Sequence, residues 1–391
     1  MSKNNIIEKI QLFLFLSVIY LMCTRIKNKY DEIIIILLGI VTVSKNFYYK
    51  KYFFIEKKII YSVFFWMILM SFSFFKMLER YPNGEYIILY RNAMIDCFLL
   101  FFILTQIDLK SIFNENKFLN IINILSIYSI YKGIVFIKSN GLFIRGYAWG
   151  NPNYYSMLLG IFGIISFICF LFEKNKVYKI LYLILNTLQL FMFISIGQSR
   201  NVFLALIINY VICIFLYYLK NKERKQVLKV ILVFICIILL AIFILKSFNY
   251  RVIDISVEKF INNPRILIWK KALFDEKFNI FFGKGFAYYT MNKFKDSVGV
   301  TIWALHNDSL EFLVTQGIFS MVLYLGFILY FMKSLLCKFL HNSDKMILIS
   351  LILVFYFFMI GMLDLAFYQK RISQFVFLFL GLNIYKEKRN V

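Results

Sequence analysis

A side chain that accepts a proton near neutral pH is most often a histidine, and this chain has two. His306 stands in Trp303-Ala-Leu-His-Asn-Asp-Ser-Leu-Glu311, directly before an apolar run. Three arginines occupy other polar stretches. Arg145 is in Asn140-Gly-Leu-Phe-Ile-Arg-Gly-Tyr-Ala-Trp-Gly-Asn-Pro-Asn153, and Arg200 is in Gly197-Gln-Ser-Arg-Asn201. Arg265 is in Asn262-Asn-Pro-Arg-Ile-Leu-Ile-Trp-Lys-Lys-Ala-Leu273. None of the three has an obvious acidic partner nearby in sequence. Arginine is the bidentate binder of phosphate oxygens. At 4 Å and an effective dielectric of about 20, each such charge contact is worth roughly 4 kcal/mol before desolvation. A base beside several arginines suits transfer chemistry on an anionic group such as a diphosphate.

Each stretch also has a plainer reading. Asn151 and Pro152 fit a helix cap and first helical position, with Arg145 snorkelling from an aromatic belt. Arg200 at the start of a helix is able to reach headgroups. Asn263 and Pro264 open a helix in the same way, and Ile266, Trp269 and Leu273 form its apolar stripe with Lys270 and Lys271 off it. Arg265 then sits in the first turn, where a cation is disfavoured and an anion is welcome. Asp308 and Glu311 match the capping pattern Asp-x-x-Glu, which leaves His306 without a structural explanation. The aromatics at 281, 282, 286, 288, 289 and 303 suit stacking on sugars or anchoring at an interface.

The elements that position these residues are apolar. Hydrophobic residues make up 61% of the chain and charged residues 17%, with mean hydropathy +0.73. This composition is that of a polytopic membrane protein, since a soluble chain would have to bury nearly all of itself. Twelve apolar segments are long enough to span a core of about 30 Å. They lie near 7–24, 31–46, 59–76, 86–106, 119–137, 154–172, 178–197, 201–219, 228–247, 308–332, 346–364 and 371–385. With the N-terminus inside, the inner connections hold 23 Lys and Arg and the short outer ones ten, so the positive-inside rule puts both termini in the cytoplasm. The first segment reads as a retained helix rather than a cleaved signal, because no small-x-small site follows it. The expected fold is all-α: a single bundle over 1–391 with about twelve transmembrane helices. One large extracytoplasmic loop, 248–305, joins the ninth and tenth. His306 and the three arginines then border the outer membrane surface, and their anionic ligand should be lipid-linked.

Several function classes lose support. The net charge of +24 sits in short runs between apolar segments, as topology demands, and indicates no nucleic acid. Six scattered cysteines show neither a disulfide frame nor metal spacing. There is no phosphate-binding glycine loop and no H-E-x-x-H, and no metal or other cofactor is expected. A flippase for lipid-linked sugars is the rival reading. It predicts intramembrane charges along a cavity, for which Arg91, Asp96 and Lys132 are the candidates.

In their order the motifs resemble those of the O-antigen ligase and O-antigen or capsule polymerase (Wzy-type) superfamily of bacterial envelope glycosyltransferases. The matching pieces are Arg145-Gly with Asn151-Pro-Asn153, Ser199-Arg200, Arg265-x-x-x-Trp269, Gly283-Lys-Gly285, His306-Asn307, Leu310-Glu311 and Gly317. The resemblance covers 145–317. It implies a GT-C-like, inverting, metal-independent transferase on the outer face of the bacterial plasma membrane. The donor implied is a glycan on undecaprenyl diphosphate. Arg200 and Arg265 would hold the diphosphate and His306 would take the proton of the attacking sugar hydroxyl. Arg145, Asn153, Trp269, Gly285, Asn307 and Glu311 would line the site. A polymerase acting on a lipid-linked repeat unit is preferred over a ligase. Partners implied are the lipid bilayer, a flippase and a chain-length regulator.

Overall fold

The computed structural model describes residues 3–24, 28–49, 56–107, 114–142, 144, 151–220, 264–274, 278–292, 294–295, 301–302 and 304–384. The described chain is nearly all helical. In order the helices are α1 (Lys3–Thr24), α2 (Asn28–Tyr48), α3 (Lys57–Leu78) and α4 (Tyr86–Thr105), followed by α5 (Glu115–Asn140) and α6 (Pro152–Phe172). Then come α7 (Lys176–Gly197), α8 (Arg200–Lys220), α9 (Pro264–Leu273), α10 (Tyr288–Asn292) and α11 (Asp308–Gln316). The last three are α12 (Ile318–Asn342), α13 (Lys345–Gly361) and α14 (Lys370–Ile384). Among the described residues, one two-residue antiparallel ladder, β1 (Phe294–Lys295) with β2 (Thr301–Ile302), departs from the all-α pattern.

Among the described residues, eight helices are long and apolar enough to cross a membrane: α1 and α3 to α8, with α12. The protein is a multi-pass membrane protein. The helix α2 spans 21 residues but carries Asp31, Glu32 and other charges, and α13 and α14 are 17 and 15 residues long. The expected ninth segment, 228–247, lies outside the described residues, as does part of the expected loop 248–305. The expected tenth segment, 308–332, is not one helix. It breaks at Gly317, whose φ is +93°. Any Cβ there would collide with the backbone of Phe281, so only glycine fits. The polar Asp308–Gln316 is thus a separate short helix, and the span begins at Ile318.

Contacts divide the chain into two units, one of residues 1–112, 257–331 and 357–391 and the other of 113–256 and 332–356. In the first, Trp66 of α3 is buried among the rings of Phe98, Phe312, Tyr324, Phe327 and Phe367, at 5.1 to 6.0 Å between centroids. Each favourable ring pair adds about 0.5–1.5 kcal/mol beyond burial, and this cluster seats α11 and the segment before α14 against α3. In the second unit, α6 is the central helix: it is buried along most of its length and packs most closely on α7. Asn151 caps it, its Oδ1 accepting from Asn153 N at 2.8 Å, and Pro152 takes the first helical position, as the spacing predicts.

Candidate functional site

The site is built where α9, α11 and the segment 362–369 meet, all within the first unit. α9 starts at Pro264, and it rests on the protein through Trp269 and Leu273 of the expected stripe, with Ile268 and Ala272 beside them in place of Ile266. These pack on Tyr289, Leu305, Leu310 and Val314. Lys270 and Lys271 are exposed. Trp269 does not offer its indole N–H outward. It donates to Leu305 O at 2.6 Å, which fixes the residue before His306.

His306 has φ +53°, a left-handed conformation that costs energy for a residue with a Cβ. The surrounding bonds hold it there. Leu305 N–H donates to Glu311 Oε2 at 3.0 Å, and Asn307 caps α11 by accepting from Leu310 N at 3.0 Å. Asn307 Nδ2 also donates to Met362 O at 2.9 Å. The capping pattern read in the sequence therefore resolves differently. Asn307, not Asp308, is the cap, and Glu311 reaches back beyond it.

Asp308 is buried and does another task. Its Oδ2 accepts from Ala366 N at 3.2 Å, Phe367 N at 3.0 Å and Tyr324 OH at 3.2 Å. These bonds strap residues 362–369 onto α11. The strap carries Asp364, whose Oδ1 is 3.0 Å from His306 Nδ1. Its Oδ2 is 3.9 Å from Arg265 Nη2, and Arg265 Nη1 donates to Leu363 O. Arg265 therefore has an acidic partner, contrary to the sequence expectation. Exposure is graded across the three: Asp364 7%, Arg265 24% and His306 40%, so the imidazole is the accessible end.

The electrostatics follow from this placement. Burial pushes the Asp364 carboxyl up. The hydrogen bond from His306 and the charges of His306 and Arg265 outweigh it and hold the carboxyl below its usual range. In the tautomer with its proton on Nδ1, His306 donates to the ionised Asp364 and Nε2 keeps the lone pair. Burial raises Glu311 to about 7, against the Leu305 N–H bond and the His306 charge that lower it. Burial likewise raises Asp308 well above the carboxylate range despite its three donors.

The Gly283-Lys-Gly285 turn sits at the other end of α11. Lys284 N donates to Val314 O at 2.8 Å and Gly285 N to Thr315 O at 2.9 Å. Gly285 has φ +120°, and a Cβ there would strike Met77 Sδ, so its role is close backbone approach rather than ligand contact. Lys284 is buried beneath Tyr288 and Tyr289, 5.1 and 5.8 Å from their ring centroids.

Of the other expected site residues, Arg145 and Trp303 lie outside the described residues. Arg200 is exposed at the start of α8, and Asn153 lies in the first turn of α6, both in the second unit. A left-handed Gln198, φ +50°, follows the π-helical end of α7 and turns the chain into Arg200.

A family model described as O-antigen ligase matches residues 185–325. Over this segment the chain is similar to the O-antigen ligase family, which supports the resemblance to the O-antigen ligase and polymerase superfamily. The matched stretch contains Arg200, Arg265 and His306 and ends before Asp364. Comparison with curated proteins returns no match. The intramembrane charges that a flippase would need are engaged: Arg91 pairs with Glu32 at 2.8 Å and Asp96 with Lys370 at 2.8 Å, while Lys132 lies 5.4 Å from the Tyr128 ring.

Proposed function

We propose that the protein is a glycosyltransferase of the bacterial plasma membrane that polymerises lipid-linked repeat units on the outer face. The observation that carries this reading is the constellation of His306, Asp364 and Arg265 in and beside a superfamily segment. The donor is a glycan on a lipid diphosphate. Arg265 holds the diphosphate and offsets the charge that develops on it. Asp364 keeps the proton on Nδ1 and stabilises the imidazolium as it forms. His306 Nε2 takes the proton of an acceptor hydroxyl, whose oxygen attacks the anomeric carbon. The bond from that carbon to the diphosphate oxygen breaks, and the lipid diphosphate leaves with the electron pair. A single displacement of this kind inverts the anomeric centre. Trp269, Asn307 and Glu311 hold the His306 turn rather than the glycan. The part given to Arg200 is supported by its motif alone.

The matched family's name favours a second reading, transfer of a finished glycan to a lipid A core. Both share the chemistry and differ in acceptor. The test is reconstitution of the full chain with a defined lipid-diphosphate oligosaccharide, following glycan product and released lipid carrier together. Lengthened lipid-linked glycan with stoichiometric carrier release is expected. Transfer only when a lipid A core is added would give the ligase reading. Movement of donor across the bilayer without release of carrier would overturn both.

A further inference from the structure

A second group of charged side chains meets in the interior of the first unit. Lys370 Nζ is 2.8 Å from Asp96 Oδ2, 3.5 Å from Asp31 Oδ2 and 3.6 Å from Glu32 Oε1. Arg371 pairs with Asp31 and donates to Gln374 Oε1 at 2.8 Å. Gln374 in turn donates to Asp96 Oδ1 at 2.8 Å. Arg91 adds the contact to Glu32 already described. The three acids and three bases balance. Asp31, Asp96, Arg371 and Gln374 are each almost wholly buried. The carboxylates come from the first turns of α2 and from a π-helical stretch of α4, Asn92–Leu99, a distortion that recurs at functional sites. Lys370, Arg371 and Gln374 come from the start of α14, and Arg91 from α4.

Buried ion pairs are weak sources of stability, because desolvation offsets the attraction. In a membrane segment such groups are mostly functional. This network is joined to the strap. Lys370 and Arg371 directly follow residues 362–369, which carry Asp364 and the Leu363 carbonyl that receives Arg265. The strap is tied to α11 by Asn307 at Met362 and by Asp308 at Ala366 and Phe367. At its remaining end Tyr368 OH accepts from Gln316 Nε2 at 3.1 Å, and the chain then enters directly the helix that the ionic network anchors.

We infer that the network of Lys370, Arg371, Gln374, Asp31 and Asp96 is a positioning device for Asp364, holding the C-terminal end of the strap so that the carboxylate stays on His306 and Arg265. The inference rests on the reading of His306 as the base. None of these residues touches the reacting atoms. Among the described residues the charged groups around His306 are Asp364 on the strap, Arg265 on α9 and Glu311 on α11, and of these the first is attached to the network.

The test uses the reconstituted full chain carrying Lys370→Met. Turnover should fall by about tenfold or more, as sub-ångström misplacement of a catalytic group produces. KM for the lipid-linked donor should stay within about twofold. Hydrogen–deuterium exchange of residues 362–371 should rise, and Lys370→Arg should restore both readouts. Added to Asp364→Asn, Lys370→Met should cost nothing further. Gln374→Leu is the milder variant if Lys370→Met does not accumulate, and it should show the same pattern at smaller size. Unchanged kinetics per folded molecule, with or without loss of protein, would overturn the inference, as would unchanged exchange over 362–371. If His306→Ala turns over normally the proposed function fails, whereas the exchange measurement still decides whether the network holds the strap.

Discussion

Two helices of similar burial are held in opposite ways. α6, in the second unit, carries no charged side chain. Its neighbours approach by shape. Gly160 makes room for the ring of Tyr356, whose hydroxyl donates to Met157 O at 3.2 Å. Gly163 faces Tyr210, and Asn186 Nδ2 donates to both Gly163 O and Tyr210 OH at 2.8 Å. This is the packing of membrane helices, where small residues allow close approach and neutral polar groups join helices. α11, in the first unit, is nine residues long and buries two carboxylic acids, Asp308 and Glu311. Its partners are a loop, a strap and a tyrosine, and each is fixed by a particular hydrogen bond. The difference teaches where change should be felt. Damage to α6 should remove folded protein, and damage around α11 should remove chemistry from protein that is still folded.

The largest effect expected on that division comes from His306→Ala. Turnover should fall by about a hundredfold or more, the size of a general-base contribution, at an unchanged level of membrane-inserted protein. Product formation at the wild-type rate would remove His306 from the chemistry. Asp364→Asn should cost about tenfold or more. The neutral amide no longer fixes the Nδ1 proton of His306, so kcat should fall with KM for the donor little changed. Turnover at the wild-type rate would mean that Asp364 takes no part in orienting His306.

Glu311→Gln probes the same helix through stability. The folded value of Glu311, about 7, lies above its ordinary 4.5. The folded protein therefore keeps a proton that the unfolded chain releases, and this contribution is fully present below about pH 4.5 and lost as pH rises through about 7. A shift of this size is worth about 3 kcal/mol at pH 8. The glutamine variant should accordingly denature at a higher temperature than the wild type at pH 8 and at a similar one at pH 4. A gain that is equal at both values would rule out the buried proton. The smallest effect per molecule is expected from Gly160→Ala. The added methyl meets Tyr356, and overpacking of this kind costs about 1–3 kcal/mol. Less protein should survive extraction, yet each surviving molecule should turn over normally. Impaired turnover in that fraction would break the division between the two helices.

What the sequence determined by itself was local or compositional. Its apolar runs require a membrane, because no soluble fold buries so much. Asn151-Pro152 opens α6 because cap and first-turn preferences act within a few residues. Pro264 opens α9 for the same reason, and the amphipathic spacing around Trp269 locates its packed face to within a residue or two. The motif residues Arg265 and His306 were legible as chemistry by their type and by their place among apolar segments. The tertiary structure alone decided what those residues touch. Asp364 lies 58 positions from His306, at the end of an apolar helix where no local pattern sets it apart. Asp308 reads as a cap from its spacing to Glu311, yet its partners are at 324, 366 and 367, and the break at Gly317 depends on a backbone that returns from residue 281. The buried bases at 370 and 371 look like loop charges until α2 and α4 bring them acids. Caps and periodicities are set by neighbours along the chain, and a buried charge is set by whichever distant group the fold brings to satisfy it.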